Sequence, residues 1–370
     1  METSRKKVVC VMNNFAIGGA ERVLLDIISR LSEQHDIHVV SVLGGGPLQS
    51  EFENVAQVYV LGSIPIGGFL GKLLWVFSSP ITAARLLMFL KRERPDAVMS
   101  SLFAADVLGM TVARMAGVRR RVLVQHDVHA FGWFKNLLKR RFGLGAATNI
   151  VAVSEAVRDF LQVTWGQPRT KITVIENGVD IEQLQEGRRQ QGDEVVLGFL
   201  GRLEPVKGPQ YFLDALVNLS QKNINPRVLV FGSGSLEPRL QQFVQEKGLT
   251  NVTFEGVAGD VPAALRVVDV LVVPSEEEGF GLVVTEALFA GKVVVASDLP
   301  AFHGLVNGGE NGLLFEAGSS ESLATTLEDL LTDEKLLHAL QRGVDQWADA
   351  NKDTFNISSK AQEYEKALGL

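Results

Sequence analysis

Apolar and polar positions alternate in a regular order along the chain. Short, largely aliphatic runs recur between amphipathic stretches, and each has the continuous hydrophobicity of a parallel strand covered on both faces. The runs are KVVCVM, IHVVSVL, QVYVL, DAVMSS, RVLVQ, NIVAVS and KITVIEN, then VVLGFLG, RVLVFGSG, NVTFEG, DVLVVPS, KVVVAS and GLLF. Between two of them, AERVLLDIISRLSEQ places apolar residues from Ala20 to Leu31 on one helical face. The pattern predicts an α/β protein of two doubly wound units.

The boundary between the units is predicted in Gly178 to Glu194, a polar segment without apolar periodicity. This divides the chain into an N-terminal Rossmann-like domain (1–180), a linker (181–193) and a C-terminal Rossmann-like domain (194–345). Residues 346–370 are predicted to form a helix that crosses back to the N-terminal domain. A ligand would lie in a cleft between the two sheets, at the carboxyl ends of the strands.

Composition narrows the class of protein. Apolar and charged fractions of 46% and 21% are typical of a packed globular chain, and a net charge of −7 argues against a general nucleic-acid binder. The single cysteine, Cys10, allows no disulfide within the chain and indicates a reducing compartment. Its place in the run VVCVM is typical of a core residue, with a reactive thiol as the alternative.

Two apolar segments of the sequence provide information on the cellular location of the protein. The first, in METSRKKVVCVMNN, has about six apolar residues and is too short for the core of a signal peptide. The second, Ile64 to Leu90, is interrupted by Lys72, Pro80 and Arg85, which disfavours a transmembrane span. We therefore expect a cytoplasmic protein, and contact of the second segment with a membrane surface stays open.

The first strand-to-helix loop, NNFAIGGAERVLL, ends in Gly18 and Gly19, with a helix starting near Ala20. Paired glycines let backbone N–H groups approach an anion at a helix N-terminus, and a plain tight turn is the alternative. The chain has neither GxGxxG nor GKS/T at this loop, so a dinucleotide fingerprint and a P-loop are both missing. A dehydrogenase is therefore disfavoured.

A loop of the second half carries two cations. In FLGRLEPVKGPQYFLDAL, Arg202 and Lys207 lie between a strand and a helix. Such a pair can neutralise a diphosphate, the arginine as a fork and the lysine as a point charge. Exposure of both to solvent is the alternative. The later FGSGS, Gly232 to Ser235, predicts a turn at the end of the next strand.

The segment SEEEGFGLVVTEALFAG places a charge among apolar residues. On a helix, Glu286 would have Leu282, Val283, Phe289 and Ala290 as neighbours. Burial of an unpaired carboxylate is costly, so Glu286 should reach solvent or a fixed hydrogen-bonding partner.

The residues before that helix suit close contact with a ligand. Gly279 and Gly281, on either side of Phe280, allow close backbone approach, and the N–H groups of the helix start would face the cleft. Glu278 lies outside the helix and Glu286 in its second turn, so the two can address different parts of one extended ligand. A carboxylate accepts two hydrogen bonds, the number that a vicinal diol offers.

These motifs resemble those of a known family. E-x7-E followed by ALFAGKVVVAS, with GRLEPVKG upstream and GGAERV near the start, is similar in order and spacing to the retaining family 4 glycosyltransferases (glycosyl transferases group 1). The similarity extends over nearly the whole chain. It implies the GT-B fold, in which two Rossmann-like domains face a central cleft, and a nucleoside diphosphate sugar as donor.

The resemblance also implies roles for single residues. Glu278 would bind hydroxyls of the donor sugar and act in catalysis, Glu286 would bind the ribose, and Arg202 and Lys207 would hold the diphosphate. The remaining donor contacts would come from Gly279, Phe280, Gly281 and Leu282 around the phosphate, and from Gly18 and Gly19 of the other domain.

A histidine is the second catalytic candidate. RRRVLVQHDVHAFGW presents His126 at a strand end, where similar enzymes have a histidine that contacts the transferred sugar. A structural histidine that caps the next turn is the alternative. His126 and His129 without a second pair have poor spacing for a metal, and the resemblance implies a metal-independent enzyme that needs no cofactor.

For the reaction, the resemblance implies transfer of a hexose or N-acetylhexosamine from a UDP-sugar, or from GDP-mannose. Attack on the same face, assisted by the departing phosphate, would retain the anomeric configuration. The product would belong to cell-surface polysaccharide, lipopolysaccharide or glycolipid synthesis. Val293 and Gly304 replace a common Pro and a common Glu of the family, and the second change weakens the choice of donor. A sugar-nucleotide epimerase and a non-catalytic nucleotide-sugar-binding subunit are the alternatives.

The acceptor side has an unusual segment. FGWFKNLLKRRFGLG mixes aromatic and basic residues: Phe131, Trp133, Phe134 and Phe142 with Lys135, Lys139, Arg140 and Arg141. This mixture suits an anionic membrane surface, while a buried helix pair and a solvated basic face are alternatives. We predict peripheral association with the inner face of the cytoplasmic membrane, where the acceptor is a saccharide or a lipid-linked saccharide.

Overall fold

The computed structural model describes residues 5–62, 68–130, 132–186 and 194–370, and for residues 68–78 it describes the backbone alone. The chain divides into two compact units, one made of Met1–Gly178 and Ile357–Leu370 and the other of Val179–Asn356. Phe131, residues 63–67 of the apolar segment and residues 187–193 of the predicted linker lie outside the described residues.

In the described part of the first unit, seven strands form a parallel sheet in the order β3-β2-β1-β4-β5-β6-β7. The strands are β1 (Lys7–Met12), β2 (Asp36–Ser41), β3 (Gln57–Val60), β4 (Ala97–Ser101), β5 (Arg120–Gln125), β6 (Asn149–Ala152) and β7 (Ile172–Val174). Val8 of β1 pairs with Ile37 on one side and with Ala97 on the other. The strand order therefore reverses between β1 and β4, which is where doubly wound sheets bind ligands.

Helices connect these strands. They are α1 (Gly19–Ser32), α2 (Gln49–Val55), α3 (Gly68–Glu93), α4 (Phe103–Met115), α5 (Trp133–Leu138) and α6 (Glu155–Val163), with a π-helical turn at Lys139–Leu144. The face of α1 between Val23 and Leu31 is buried, as its apolar spacing predicts. The final helix, α14 (Ile357–Leu368), packs against α1, and His35 Nε2 lies 3.1 Å from Glu365 Oε1 at this contact.

The described residues of the second unit form a parallel sheet of six strands in the order β10-β9-β8-β11-β12-β13. The strands are β8 (Val196–Leu200), β9 (Arg227–Phe231), β10 (Val252–Gly256), β11 (Val270–Val273), β12 (Val293–Ser297) and β13 (Gly312–Phe315). The helices are α7 (Ile181–Gln185), α8 (Pro209–Gln221), α9 (Glu237–Lys247), α10 (Val261–Arg266), α11 (Leu282–Phe289), α12 (Ser320–Thr332) and α13 (Glu334–Phe355). The reversal of order falls between β8 and β11, so the loops that follow these two strands meet.

The central strands of both sheets are buried as their continuous aliphatic runs predict: Val9 of β1 and Val272 of β11 are fully inaccessible. The edge strands β3, β7 and β10 are partly exposed. Cys10 belongs to the same layer of β1. Desolvation raises the pKa of its thiol to about 12, so it is a protonated core residue.

Candidate functional site

The loop after β8 brings Lys207 to the end of β11. Residues Pro205–Lys207 form a 3₁₀ turn, and Gly208 then adopts a left-handed conformation with φ 67°. A Cβ atom on Gly208 would lie 1.8 Å from the carbonyl oxygen of Pro274, so only glycine fits this contact. Glu276 N donates to Val206 O at 2.9 Å, which joins the two loops by their backbones.

This contact sets Lys207 beside Glu278. Lys207 Nζ lies 2.5 Å from Glu278 Oε1, and Ser275 Oγ donates to the same oxygen at 3.0 Å. The two charged side chains are 24% and 13% exposed. The fold thus joins two of the predicted donor-binding residues in one half-buried ion pair. Ser275 also belongs to this cluster, although its sequence motif did not predict this contact.

Arg202 lies on the same loop with its side chain exposed, and its guanidinium has no hydrogen bond or ion pair within the described residues. Its neighbour Glu204 is held by Ser235, whose hydroxyl and backbone N–H donate to the carboxylate at 2.6 and 2.9 Å. These bonds lower the pKa of Glu204. Arg202 is therefore an accessible guanidinium at the end of β8.

The segment before α11 is held by close packing. Gly281 has φ 96°, and a Cβ there would lie 2.6 Å from the ring of Phe302. Phe280 is 4% exposed, and its ring centroid is 6.1 Å from that of Phe355. The first turn of α11, from Leu282, contains no acidic residue, so its N–H groups and the helix dipole favour an anion at this end.

Glu286 is the fifth residue of α11, and its side chain is half-buried. The residues on either side of it, Thr285 and Ala287, are fully buried. The charged position therefore lies at the border of the apolar face of the helix, between its buried and its accessible side.

In the first unit, α1 begins at Gly19, one residue before the predicted start, and Gly18 precedes it with an extended backbone. Glu21 is 8% exposed, and its Oε2 lies 2.4 Å from the place that a Cβ on Gly18 would take. A carboxylate thus lies over the paired glycines. This position suits hydroxyl donors better than a phosphate, because two anions would repel each other there.

His126 directly follows β5. Its Nε2 is shielded from solvent and has no hydrogen-bond partner within the described residues, so the structure gives no support to a capping role. Burial, and secondly the charge of Lys139, lower the pKa of His126 to about 4. The ring is therefore neutral at physiological pH.

The predicted basic face differs from the structure at one residue. Lys139 is 2% exposed, and its Nζ lies 3.1 Å from Asp106 Oδ2, so it cannot contact a membrane surface. The other predicted members that the structure describes are exposed: Trp133 by 79%, Phe134 by 56% and Phe142 by 41%, with Lys135, Arg140 and Arg141 also exposed. Leu137, which was not predicted, lies among them and is 53% exposed. We call these seven residues the aromatic-basic face.

Part of this face borders an open pocket of about 410 Å³, lined by His129, Gly132, Trp133, Phe134 and Lys135. In the described part of the chain, no helix is long and apolar enough to cross a membrane. Within the described residues, no group of three or more His, Cys, Asp or Glu side chains is arranged to hold a metal ion.

Two parallel, doubly wound sheets with polar loops at their carboxyl ends define a GT-B type glycosyltransferase fold. The crystal structure of Anabaena Alr3699/HepE in complex with UDP and glucose superimposes with a TM-score of 0.84 over 99% of this chain and 100% of that one, at 23% identity. The α/β class and the GT-B fold are thus confirmed.

Two family descriptions match adjacent parts of the chain. Glycosyltransferase Family 4 matches residues 17–183, and Glycosyl transferases group 1 matches residues 180–347. The chain belongs to the family 4 glycosyltransferases, as its motifs predict. It is a glycosyltransferase.

The proteins that are similar to this chain in sequence differ in the substrates that their names give. UDP-Gal:alpha-D-GlcNAc-diphosphoundecaprenol alpha-1,3-galactosyltransferase of Escherichia coli is 26% identical, covering 92% of this chain and 91% of that one. Phosphatidyl-myo-inositol mannosyltransferase of Mycobacterium leprae is 36% identical, and the match covers 69% of this chain and 63% of that relative. D-inositol 3-phosphate glycosyltransferase of Paenarthrobacter aurescens is 28% identical, and the match spans 65% of either chain, just under two thirds of that relative's length.

Proposed function

We propose that this chain is a retaining, metal-independent glycosyltransferase that takes a hexose or N-acetylhexosamine from a UDP-sugar. The observation that carries the proposal is the Lys207–Glu278 pair with Ser275, set beside the first turn of α11. An ammonium group has three N–H donors, so Lys207 can bind a diphosphate oxygen while it keeps Glu278. A UDP-sugar is favoured over GDP-mannose because the similar HepE structure holds UDP and glucose.

In this proposal the negative charge of the leaving diphosphate is stabilised by Lys207, by the accessible Arg202 and by the backbone from Gly279 to Leu282. Glu278 accepts hydrogen bonds from hydroxyls of the donor sugar, and Glu286 accepts those of the ribose diol. His126 contacts the transferred sugar. Gly18 and Gly19, which lie under the Glu21 carboxylate, line the sugar more than the phosphate.

Retention follows if the acceptor attacks from the face that the diphosphate leaves, with the departing phosphate oxygen as the proton acceptor. The glycosidic bond to the diphosphate breaks and the bond to the acceptor oxygen forms on the same face. Anomeric NMR of the product checks this step, and an inverted product would overturn it.

A ligand screen by thermal shift tests donor binding. At about 100 times its Kd, UDP should raise the Tm of this 370-residue chain by about 3–4 °C, because a ligand that binds only the folded state stabilises it by about 2.7 kcal/mol. GDP at the same concentration should shift it less, and EDTA should leave the UDP shift unchanged. Equal shifts with both nucleotides would remove the UDP preference, and a shift lost in EDTA would remove the metal-independent mechanism.

We further propose that the acceptor is a lipid-linked saccharide and that the protein associates with the inner face of the cytoplasmic membrane. The aromatic-basic face supports this, since it presents three aromatic rings beside three cations. Each exposed cation near an anionic surface contributes about 1 kcal/mol, and each aromatic ring that enters it about 1.5–3 kcal/mol. The Escherichia coli relative, by its name, acts on a diphosphoundecaprenol acceptor.

Flotation with anionic phosphatidylglycerol vesicles at low salt tests the membrane proposal. The double variant Trp133→Ser/Phe134→Ser should lower the partition coefficient at least about 100-fold, because it removes two of the three rings from the contact. Met115→Ser/Val163→Ser is the matched control, since these side chains are 65% and 86% exposed outside the face. Equal binding of all three proteins would overturn the assignment of the face.

A further inference from the structure

A second cavity lies in the first unit, between α14 and the strands β5, β6 and β7. Its volume is about 650 Å³, which is within the range of pockets that bind small molecules. Arg120, which lines it, begins β5, and His126 follows the last residue of the same strand. A strand of this length extends over roughly 16 Å. The part of the cavity at Arg120 is therefore at the opposite end of β5 from the predicted catalytic histidine.

The lining of this cavity has an excess of positive charge. Arg119, Arg120 and Lys366 line it, and their exposed side chains have no hydrogen bond or ion pair within the described residues. Glu363 is the acidic residue of the lining in the described part of the chain, and its Oε1 already lies 3.2 Å from Lys360 Nζ. The excess is local, because the chain as a whole has a net charge of −7.

The end of α14 brings two of these cations together. Gly369, which follows the helix, lies against the guanidinium of Arg120, since a Cβ on Gly369 would be 2.5 Å from Arg120 Cζ. Gly369 has φ 69°, and its N–H donates to the carbonyl oxygen of Lys366 at 3.2 Å, as in the usual left-handed end of a helix. Arg120 of β5 and Lys366 of α14 therefore lie at the same end of the cavity.

Neutral donors belong to the same lining. Asn149, the first residue of β6, accepts a hydrogen bond at Oδ1 from Thr173 Oγ1 at 3.3 Å, which leaves the N–H groups of its amide available. Thr170, in the turn before β7, adds a hydroxyl group. Next to it, Lys171 has a pKa that is lowered by burial and secondly by the charge of Arg121. The cavity thus offers hydrogen-bond donors in a region of positive potential.

We propose that this cavity binds a phosphorylated ligand, a phosphate ester or a diphosphate, whose phosphate groups contact Arg119, Arg120 and Lys366. A guanidinium binds phosphate through two parallel N–H donors, and an ammonium group adds a point charge. Cations that line one cavity repel each other, and a bound dianion removes that repulsion. The ligand would contact β5 and α14 together, so it would hold α14 on the sheet. This site is separate from the donor site of the proposed function.

Calorimetry with inorganic pyrophosphate tests the site, in saturating UDP so that the donor site is filled. The variant Arg119→Ser/Arg120→Ser should weaken pyrophosphate binding about 100-fold or more, because two charge-assisted contacts are lost. Arg227→Ser/Arg239→Ser is the matched control, since both arginines are exposed in the other unit and their loss changes the net charge equally. The control should bind within about twofold of the native protein, because distant charges are screened. Equal affinities of the native and Arg119→Ser/Arg120→Ser proteins, or equal losses in both variants, would overturn the proposal.

Two further probes identify the source of the phosphate. Glycerol 3-phosphate represents a soluble phosphate ester, and phosphatidylglycerol vesicles present a phosphate in a lipid headgroup. Binding that is tighter for the vesicles and is lost in Arg119→Ser/Arg120→Ser would assign the cavity to a headgroup. Binding that is tighter for the free ester, with the same loss, would assign it to a soluble ligand.

Hydrogen exchange of the native protein is a readout that needs no variant. With pyrophosphate at about 100 times its Kd, the α14 amides that exchange by release of this helix from the sheet should exchange about 100-fold more slowly, because the ligand must dissociate first. Unchanged exchange in α14 at that concentration would overturn the assignment of the cavity. A chain that does not bind UDP would contradict the proposed function alone, since exchange in α14 reports on this cavity.

Discussion

Replacing Lys207 by Met should lower kcat/KM for the nucleotide sugar about 10²- to 10³-fold. The variant keeps the length of the side chain but removes the cation that faces the leaving diphosphate, and loss of one such contact in a preorganised site has an effect of this size. It also leaves Glu278, which is 13% exposed, with Ser275 alone, so binding of the sugar should weaken as well. Steady-state kinetics with a radiolabelled donor measures both effects.

Lys222→Met is the matched control. Lys222 lies in the same unit, at the end of α8, and forms an ion pair with Glu328, but its side chain is 54% exposed and outside the candidate site. Loss of an exposed pair costs at most about 1 kcal/mol of stability, and kcat/KM should stay within about twofold. A Lys207→Met enzyme that differs from this control by less than fivefold would show that the Lys207–Glu278 pair is structural.

Replacing Gly208 by Ala should lower the free energy of unfolding by about 3 kcal/mol or more and abolish the thermal shift by UDP. The added Cβ would lie 1.8 Å from Pro274 O, so the backbone must move, and Lys207 is the adjacent residue. The displacement would separate Lys207 from Glu278. Urea unfolding measures the first effect, and the ligand screen measures the second.

The variant Gly248→Ala distinguishes the effect of the steric clash at Gly208 from the effect of placing alanine in a left-handed conformation. Gly248 has φ 66°, against 67° for Gly208, but a Cβ there would meet no atom within 4 Å. Its substitution should therefore cost only about 1–2 kcal/mol, the penalty of a left-handed alanine, and should leave the UDP shift intact. Equal losses in the two variants would mean that the contact with Pro274 has no effect on the donor site.

The fold could be predicted from local pattern because a parallel sheet buries both faces of its strands. KVVCVM contains β1, DVLVVPS contains β11, and the short run GLLF contains β13. The helix that carries Glu286 was predictable for a similar reason, since its charge is an exception in an apolar stretch. This charged residue marks the border of the buried helix face, and in the structure Glu286 is half-buried at that border.

Pairing between distant residues could not be predicted in this way. The sequence around Lys139 has the alternation of aromatic and basic residues that suits a surface, and Asp106, its partner, lies on another helix. Whether a cation is buried depends on such a partner, which periodicity does not reveal. One signal was available: Asp106 interrupts the apolar stretch FAADVLGM, in the same way that Glu286 interrupts its own helix.

The return of α14 to the first unit has a consequence for biosynthesis. Ile357, Ala361, Tyr364 and Leu368 of this helix are buried in that unit, yet they leave the ribosome after the whole of Val179–Asn356. At about 5–20 residues per second, the nascent first unit waits on the order of ten seconds or more for its last helix. During translation the part of α1 that packs against α14 therefore stays uncovered until α14 itself has been synthesised.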